Sequence, residues 1–387
     1  MTENILFISP QPFFQWRGSP IRVRSDVLVL IGLGYKVDVL TLPIGENVLI
    51  NGASITRVIN PFMVREIPIG PSFHKFIFDI LLLIKGLMMI RRKKYAVIHG
   101  VEEAGIIALI VGRVAGARIV YEKHSDPFSY KKGLLKNTLL TVYSFAERFT
   151  AKHVQAVICT GPGLMAQVKK TTRFTPVYTV SDIPSSFVEP DSGQVIKKRI
   201  ELQQKKDDTI ITFVGSFARY QGIDLLMQTI PEVIKVSPNV RFIIIGGSGK
   251  EIEKWTAILN KLEAASVVNF LGLINPDALP VILCASDILL STRISGVNTP
   301  LKLIDYLKAG RPVVATDVDA NRLIMNENTA VFSAPDPKTF AKAIISLVEN
   351  PVKREILGVQ ARKIYETSFH FDIFSGKLKY CYDALLN

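Results

Sequence analysis

At 387 residues, 48% hydrophobic and 21% charged, the chain is long enough for two cores and too apolar for disorder. Its three cysteines, Cys159, Cys284 and Cys381, lie far apart without a C-x-x-C pair. They support neither a disulfide framework nor a structural zinc site, and they fit a reducing compartment. A net charge of +13 asks for a polyanionic partner: nucleic acid, anionic lipid or a phosphorylated substrate.

The N-terminus, MTENILFISPQPFF, shows no basic region leading into an apolar core and a cleavage site. No secretion is expected, and the short apolar run over residues 5–9 reads as a first strand. After it comes QPFFQWRGSPIRVRS (11–25), a basic and aromatic loop at a strand's carboxyl end, where binding residues gather. Arg17 and Arg22 add positive charge there, and Phe13, Phe14 and Trp16 could flank an apolar acceptor; the alternative is an aromatic-capped loop packed on its own sheet. A helical stretch over 21–34 precedes a strand at 36–42, and further strands follow at 96–100, 118–124, 156–161 and 177–180.

Between them, KFIFDILLLIKGLMMIRRKK (75–94) joins an apolar helical segment to a four-residue basic run. Asp79 and Lys85 interrupt it and it is too short to span a bilayer. Two readings stand: an interfacial anchor on an anionic leaflet, or a core helix with a solvated basic end. No recognised nucleic-acid motif accompanies the charge, so nucleic acid is not expected as a partner. The polar run DSGQVIKKRIELQQKKDD (191–208) carries charge and no strand and is read as the linker. Strands resume at 209–215, 241–247, 267–272, 287–291, 312–316 and 329–333, with helical segments between. Such alternation predicts α/β architecture with parallel sheets, in a domain over 1–190, a second over 208–368, and a C-terminal helix over 369–387.

Ligands of such sheets bind beyond the carboxyl ends of the strands. GSFARYQGIDLL (215–226) follows a strand with Gly215 and Gly222 bounding its turn, and the N–H groups at the helix start suit a diphosphate. GGSGK (246–250), FLGL (270–273) and TRISGVNTP (292–300) occupy equivalent places. His99, with Glu102 and Glu103 beside it, and His124 end apolar strands of the first half; the Glu residues bind an acceptor or cap a helix.

The stretch TPLKLIDYLKAGRPVVAT (299–316) reads as a turn, a short helix carrying Asp305, a Gly310 stop and a buried strand. It resembles the nucleotide-sugar motif of retaining GT-B glycosyltransferases of the family-four, or group 1, type. That resemblance implies two Rossmann-like domains with parallel sheets facing a central cleft, the C-terminal helix crossing back onto the first. It implies sugar transfer from a nucleotide-sugar donor to an acceptor hydroxyl with retention, as a hexosyltransferase, with no metal and no cofactor. Asp305 matches the carboxylate that grips the ribose, and His124 the active-site histidine near the transferred sugar. Gly18, Gly215, Gly247, Leu273, Thr299, Pro300 and Leu301 fall on donor-binding positions.

The chain departs from the pattern where the family carries an Arg and a Lys on the phosphates: Ser216 and Gln221 stand there, and Val297 replaces the first of two acids. Arg219, Arg293 and Lys302 are the cations that could compensate, Lys302 foremost, three residues before Asp305. Phe14, Trp16, Arg17, His99 and Glu102 are the expected acceptor-binding residues. The expected partners are the donor, a saccharide or lipid-linked acceptor and an anionic membrane surface, with the protein cytoplasmic at the inner face and engaged in cell-surface polysaccharide or glycolipid assembly. Two rivals are a non-catalytic GT-B-like binding protein and a sugar-nucleotide epimerase of the same fold.

Overall fold

A computed structural model describes residues 3–15, 18–65, 67, 73–126, 134–295 and 300–387. Strands buried on both faces read as continuous apolar runs, and those runs become the strands of two parallel sheets. In the first, β1 (Asn4–Ser9), β2 (Lys36–Thr41), β3 (Ala53–Arg57), β4 (Val97–Val101), β5 (Arg118–Lys123), β6 (Ala156–Cys159) and β7 (Val177–Thr179) are ordered β3-β2-β1-β4-β5-β6-β7. In the second, β8 (Thr209–Val214), β9 (Val240–Ile245), β10 (Val268–Gly272), β11 (Ile288–Ser291), β12 (Val313–Thr316) and β13 (Ala330–Ser333) are ordered β10-β9-β8-β11-β12-β13. Strand order therefore reverses between β1 and β4 and again between β8 and β11, the two places where such sheets open a crevice for ligand.

The chain divides into two units, Met1–Asp182 with Phe371–Asn387, and Ile183–His370. Each has its own core: Leu6, Ile98 and Val157 lie in that of the first, and Phe213, Ile244 and Leu290 in that of the second. The returning helix Phe371–Leu386 buries Phe374, Leu378, Cys381, Tyr382 and Leu385, a spacing of three and four residues that puts one stripe on the first unit.

Three sequence expectations change. The first unit ends at Asp182 and the second starts at Ile183, where domains over 1–190 and 208–368 were expected, because Ser185, Ser186 and Val188 are hydrogen-bonded to Asp305, Asp277 and Lys308 within the second. The run read as a linker contains the helix Ser192–Leu202, begun by a capping box in which Asp191 accepts from the Gln194 N–H (2.9 Å) and Gln194 accepts from the Asp191 N–H (3.1 Å). Arg199 of that helix reaches Asp287 at 2.9 Å and Leu202 enters the core, so charge marked a solvated helix face and not a tether. Strand β3 was not foreseen: it is a five-residue edge strand whose residues are half-buried or exposed, too weakly patterned to read.

Candidate functional site

At the reversal point of the second sheet, Tyr306 ties the two diverging strands together. Its buried hydroxyl accepts from the Val214 N–H at the end of β8 (3.0 Å) and donates to the Leu290 carbonyl of β11 (3.1 Å). The loops that follow are stitched in turn: Thr292 Oγ1 donates to the Gln221 carbonyl (2.7 Å) and the Ile294 N–H to the Tyr220 carbonyl (3.0 Å). This approach requires Gly222, whose φ is 72° and whose missing Cβ would lie 1.8 Å from the Thr292 carbonyl oxygen. Tyr306 and Thr292 were missed by sequence reasoning; a tyrosine inside a helix and a threonine after a strand carry no local signal of bracing.

Lys302, in the first turn of the helix Leu301–Ala309, points into this corner. Its ammonium donates to Gln221 Oε1 (3.2 Å), lies 4.5 Å from the centre of the Phe213 ring, and would sit 3.5 Å from a Cβ on Gly215. Burial pushes the Lys302 pKa down to about 7, and the like charge of Arg293 adds to the fall. Arg293 itself lies 5.5 Å over the Tyr220 ring. The structure thus brings together Gly215, Gln221, Arg293 and Lys302, beside Pro300 and Leu301 at a helix start with no side-chain cap. Ser216 and Arg219 are exposed on the same loop. Gly247 packs on Phe217, and its neighbour Gly246 brings the backbone against the Gly215 carbonyl. Leu273 stands 85% exposed just past β10. Thr299 and Val297, like Trp16 and Arg17, lie outside the described residues.

Asp305 is bonded within its own unit. One carboxylate oxygen accepts from the Ser185 N–H (2.6 Å), the other from Ser185 Oγ (2.7 Å), and the residue is 6% exposed. Burial raises its pKa to about 6 against the pull of those two bonds.

In the first unit, Gly18 begins the helix Gly18–Gly32, which buries Arg22. Arg22 is bound through Nε to Asp26 (3.1 Å), through Nη1 to the carbonyls of Val180 (2.8 Å) and Ser181 (2.9 Å), and approaches Glu122 at 2.9 Å. Its guanidinium lies 4.6 Å from the Phe374 ring. Burial works to raise the Glu122 pKa, yet Arg22 and His124 outweigh it and hold that carboxyl well below the usual range. His124 Nε2 lies 3.2 Å from Glu122, which outweighs burial and raises the imidazole.

Of the expected acceptor residues, the three that are described, Phe14, His99 and Glu102, are buried. His99 is fully buried, stacked on Phe7 at 4.2 Å, with Nδ1 on Tyr382 (2.7 Å) and Nε2 on Glu122 (3.0 Å). Phe14 is 1% exposed and packed on Phe13, because an aromatic ring after a first strand completes the core more cheaply than it waits in water. Glu102, in the left-handed region at φ 51°, is buried and accepts from the His124 N–H (2.8 Å). Among the described residues no group of three or more His, Cys, Asp or Glu could hold a metal ion.

Residues 208–350 match the family model described as Glycosyl transferases group 1. The chain is 24% identical over 352 residues to the gpi3 subunit of phosphatidylinositol N-acetylglucosaminyltransferase from Schizosaccharomyces pombe, covering 87% of this chain and 72% of that protein. Sucrose-phosphate synthase from Thermosynechococcus elongatus has the same fold, with a TM-score of 0.78 at 19% identity over 99% of both chains. So does Anabaena HepE, solved in complex with UDP, at 0.75 with 14% identity over 100% of both.

Proposed function

We propose that this GT-B glycosyltransferase, with a group 1 domain at residues 208–350, moves a hexose from a nucleotide donor to an acceptor hydroxyl with retention and without a metal. The observation that carries the reading is Lys302: a buried cation with a neutral partner, Gln221, and a like-charged neighbour, Arg293, at the reversal point of the second sheet. A diphosphate supplies a negative partner for Lys302, which has no acidic neighbour among the described residues. Lys302 and Arg293 take the role left by Ser216 and Gln221, which stand where the family, by resemblance, carries cations.

In the reaction the bond between the sugar's anomeric carbon and the diphosphate oxygen breaks, with the electron pair leaving on the phosphate. The acceptor oxygen forms the new bond on the same face, and its proton passes to the departing phosphate oxygen. Lys302, Arg293 and the N–H groups at the start of the helices Ile223–Ile234 and Leu301–Ala309 stabilise the charge that grows there. The protein supplies position and charge and no nucleophile.

UDP-hexoses are the first donors to test, since HepE is solved with UDP. A lipid-linked acceptor at a cytoplasmic leaflet fits the surface of the first unit. The helix Phe73–Arg92 buries Phe78 and Leu82 but exposes Phe76, Ile80, Ile84 and Met88, one every four residues, and ends in Arg91 and Arg92. It therefore serves its own core and offers an apolar, basic-ended face at once. The helix Leu134–His153 exposes Val142, Phe145 and Phe149 beside Arg148 and Lys152. Among the described residues no helix is long and apolar enough to cross a membrane. Cosedimentation with anionic vesicles at low salt, lost at high salt and on Ile80→Glu/Ile84→Glu substitution, is the expected result.

The transfer reading is tested by nucleotide release from a panel of sugar nucleotides with the wild type and Lys302→Ala. Donor binding without turnover toward any acceptor would instead support the non-catalytic binding protein, which the neutral Ser216 and Gln221 favour.

A further inference from the structure

The first unit holds a cavity of about 510 Å³ between the helices Leu134–His153 and Pro162–Thr171. Sites that enclose a small ligand or a headgroup have volumes in this range. Its wall includes Tyr121 and Lys123 of β5 and Glu147 of the first of these helices. The Lys123 ammonium donates to both Glu147 oxygens (2.8 and 2.9 Å), and the Tyr121 hydroxyl donates to one of them (2.8 Å). Burial nevertheless raises the Glu147 pKa to about 7, so near neutral pH this carboxyl offsets only part of the Lys123 charge. Arg148, Lys152 and Lys170 line the same cavity, are exposed, and form no ion pair with the described residues. Asp126 is the second acid in the wall, and it accepts from Gln167 Nε2 (3.1 Å). Among the described lining residues, four cations therefore face two carboxyl groups, one of them half-neutral.

Helix periodicity sets an apolar surface beside this charge. Measured around the helix from Ser144, which is buried in the cavity wall, Arg148 and Lys152 lie at about 40° and 80°, and Phe145 and Phe149 at about 100° and 140°. The two cations thus stand on the border between the cavity and the exposed stripe of Val142, Phe145 and Phe149. An amphiphile with an anionic end matches that order, its charge in the cavity and its chains on the stripe. We propose that this cavity binds the phosphate headgroup of an anionic lipid, with the lipid's chains over Phe145 and Phe149, as a site separate from the donor corner of the second unit. It deepens the membrane part of the reading above and does not depend on the transfer chemistry. A soluble sugar phosphate shares the headgroup's chemistry but leaves the aromatic stripe uncovered, which favours the lipid.

The experiment uses the whole chain. Calorimetry measures binding of dihexanoylphosphatidylglycerol dispersed as monomers, of glycerol 1-phosphate and of inorganic phosphate; cosedimentation measures binding to phosphatidylcholine vesicles with and without phosphatidylglycerol. Arg148→Gln/Lys170→Gln removes two charges from the cavity wall. Lys169→Gln/Arg173→Gln removes the same charge from positions outside it, and all four residues are exposed, so both variants should fold as the wild type does. We expect the dispersed lipid to bind at least about tenfold more tightly than glycerol 1-phosphate, because its chains bury apolar surface. The cavity variant should weaken that lipid about thirtyfold and the outer variant no more than about threefold. Phe145→Ser/Phe149→Ser should weaken the lipid and leave glycerol 1-phosphate unchanged. Equal losses in the two charge variants would show attraction by general surface charge and overturn the proposal. Glycerol 1-phosphate or inorganic phosphate binding as tightly as the lipid overturns it as well, since the occupant is then a soluble phosphate. Wild-type protein that binds anionic vesicles but not the dispersed lipid overturns this proposal alone. Wild-type protein that ignores anionic vesicles and the dispersed lipid alike sinks the membrane reading with it.

Discussion

Arg22 of the first unit and Lys302 of the second are both buried cations near the carboxyl ends of parallel strands, but their surroundings differ in sign. Arg22 has Asp26 at 3.1 Å, Glu122 at 2.9 Å and Asp182 at 3.7 Å. Lys302 has an amide oxygen at 3.2 Å and the charge of Arg293 against it. The effect on the acids and bases follows. Arg22 is held charged, its neighbours outweighing burial, whereas burial brings Lys302 to the edge of neutrality at physiological pH. A buried charge surrounded by its counter-charges is part of the scaffold; one buried against a like charge is costly and persists where a ligand compensates it. On the proposed reading, Arg22 belongs to the scaffold and Lys302 to the ligand.

The largest break in that comparison is kinetic. Lys302→Ala should lower sugar transfer by about 10²- to 10³-fold, the usual effect of removing one group that stabilises a developing oxyanion. Steady-state nucleotide release measures it, and a loss below about threefold would mean that Arg293 and the helix ends suffice. The same logic predicts the opposite effect on folding. Arg22→Leu strands Asp26 and Glu122 in the core and should cost about 3–5 kcal/mol in urea unfolding. Lys302→Met removes an uncompensated buried charge and should gain about 2 kcal/mol near neutral pH, a stability bought with activity. Equal signs for the two substitutions would erase the distinction between the sites.

Much of the fold was legible because both sheets are parallel and buried on both faces. Val-Ile-Leu runs such as ILFIS and RFIII then mark strands directly, and β1 and β9 fall where they were expected. The elements that failed are those where composition and role diverge. β3 is an edge strand with little to bury, and the helix Ser192–Leu202 has a linker's charge but a capped start and one core leucine. At the site, Gly215 stood out from its place after a strand, whereas Gln221, Arg293 and Lys302 were singled out through the resemblance to the group 1 motif. The partners of Asp305 and His99 were not legible, since Ser185 lies 120 residues from Asp305 and Tyr382 lies 283 from His99. Local pattern names a chemical group; only the chain's return path decides which neighbour uses it.

The smallest expected effect, and the most diagnostic of Lys302's environment, is on the pH dependence of nucleotide affinity. A lysine whose folded pKa is lowered to about 7 adds stability that is present above its unfolded pKa of 10.5 and lost as pH falls through about 7. Nucleotide binding runs the other way. The diphosphate favours the ammonium form, so above pH 7 the free protein must take up a proton to bind, and each unit of pH weakens UDP affinity by up to about tenfold. The terminal phosphate ionises near about 6, below this window, and leaves it uncomplicated. Calorimetry in buffers of different ionisation enthalpy between pH 7 and 9 reports the proton taken up. Lys302→Arg keeps its charge throughout and should bind UDP with a flat profile over the same range. A wild-type profile as flat as that of Lys302→Arg would show that Lys302 is already charged in the free protein, and the contrast with Arg22 would then be one of partners alone.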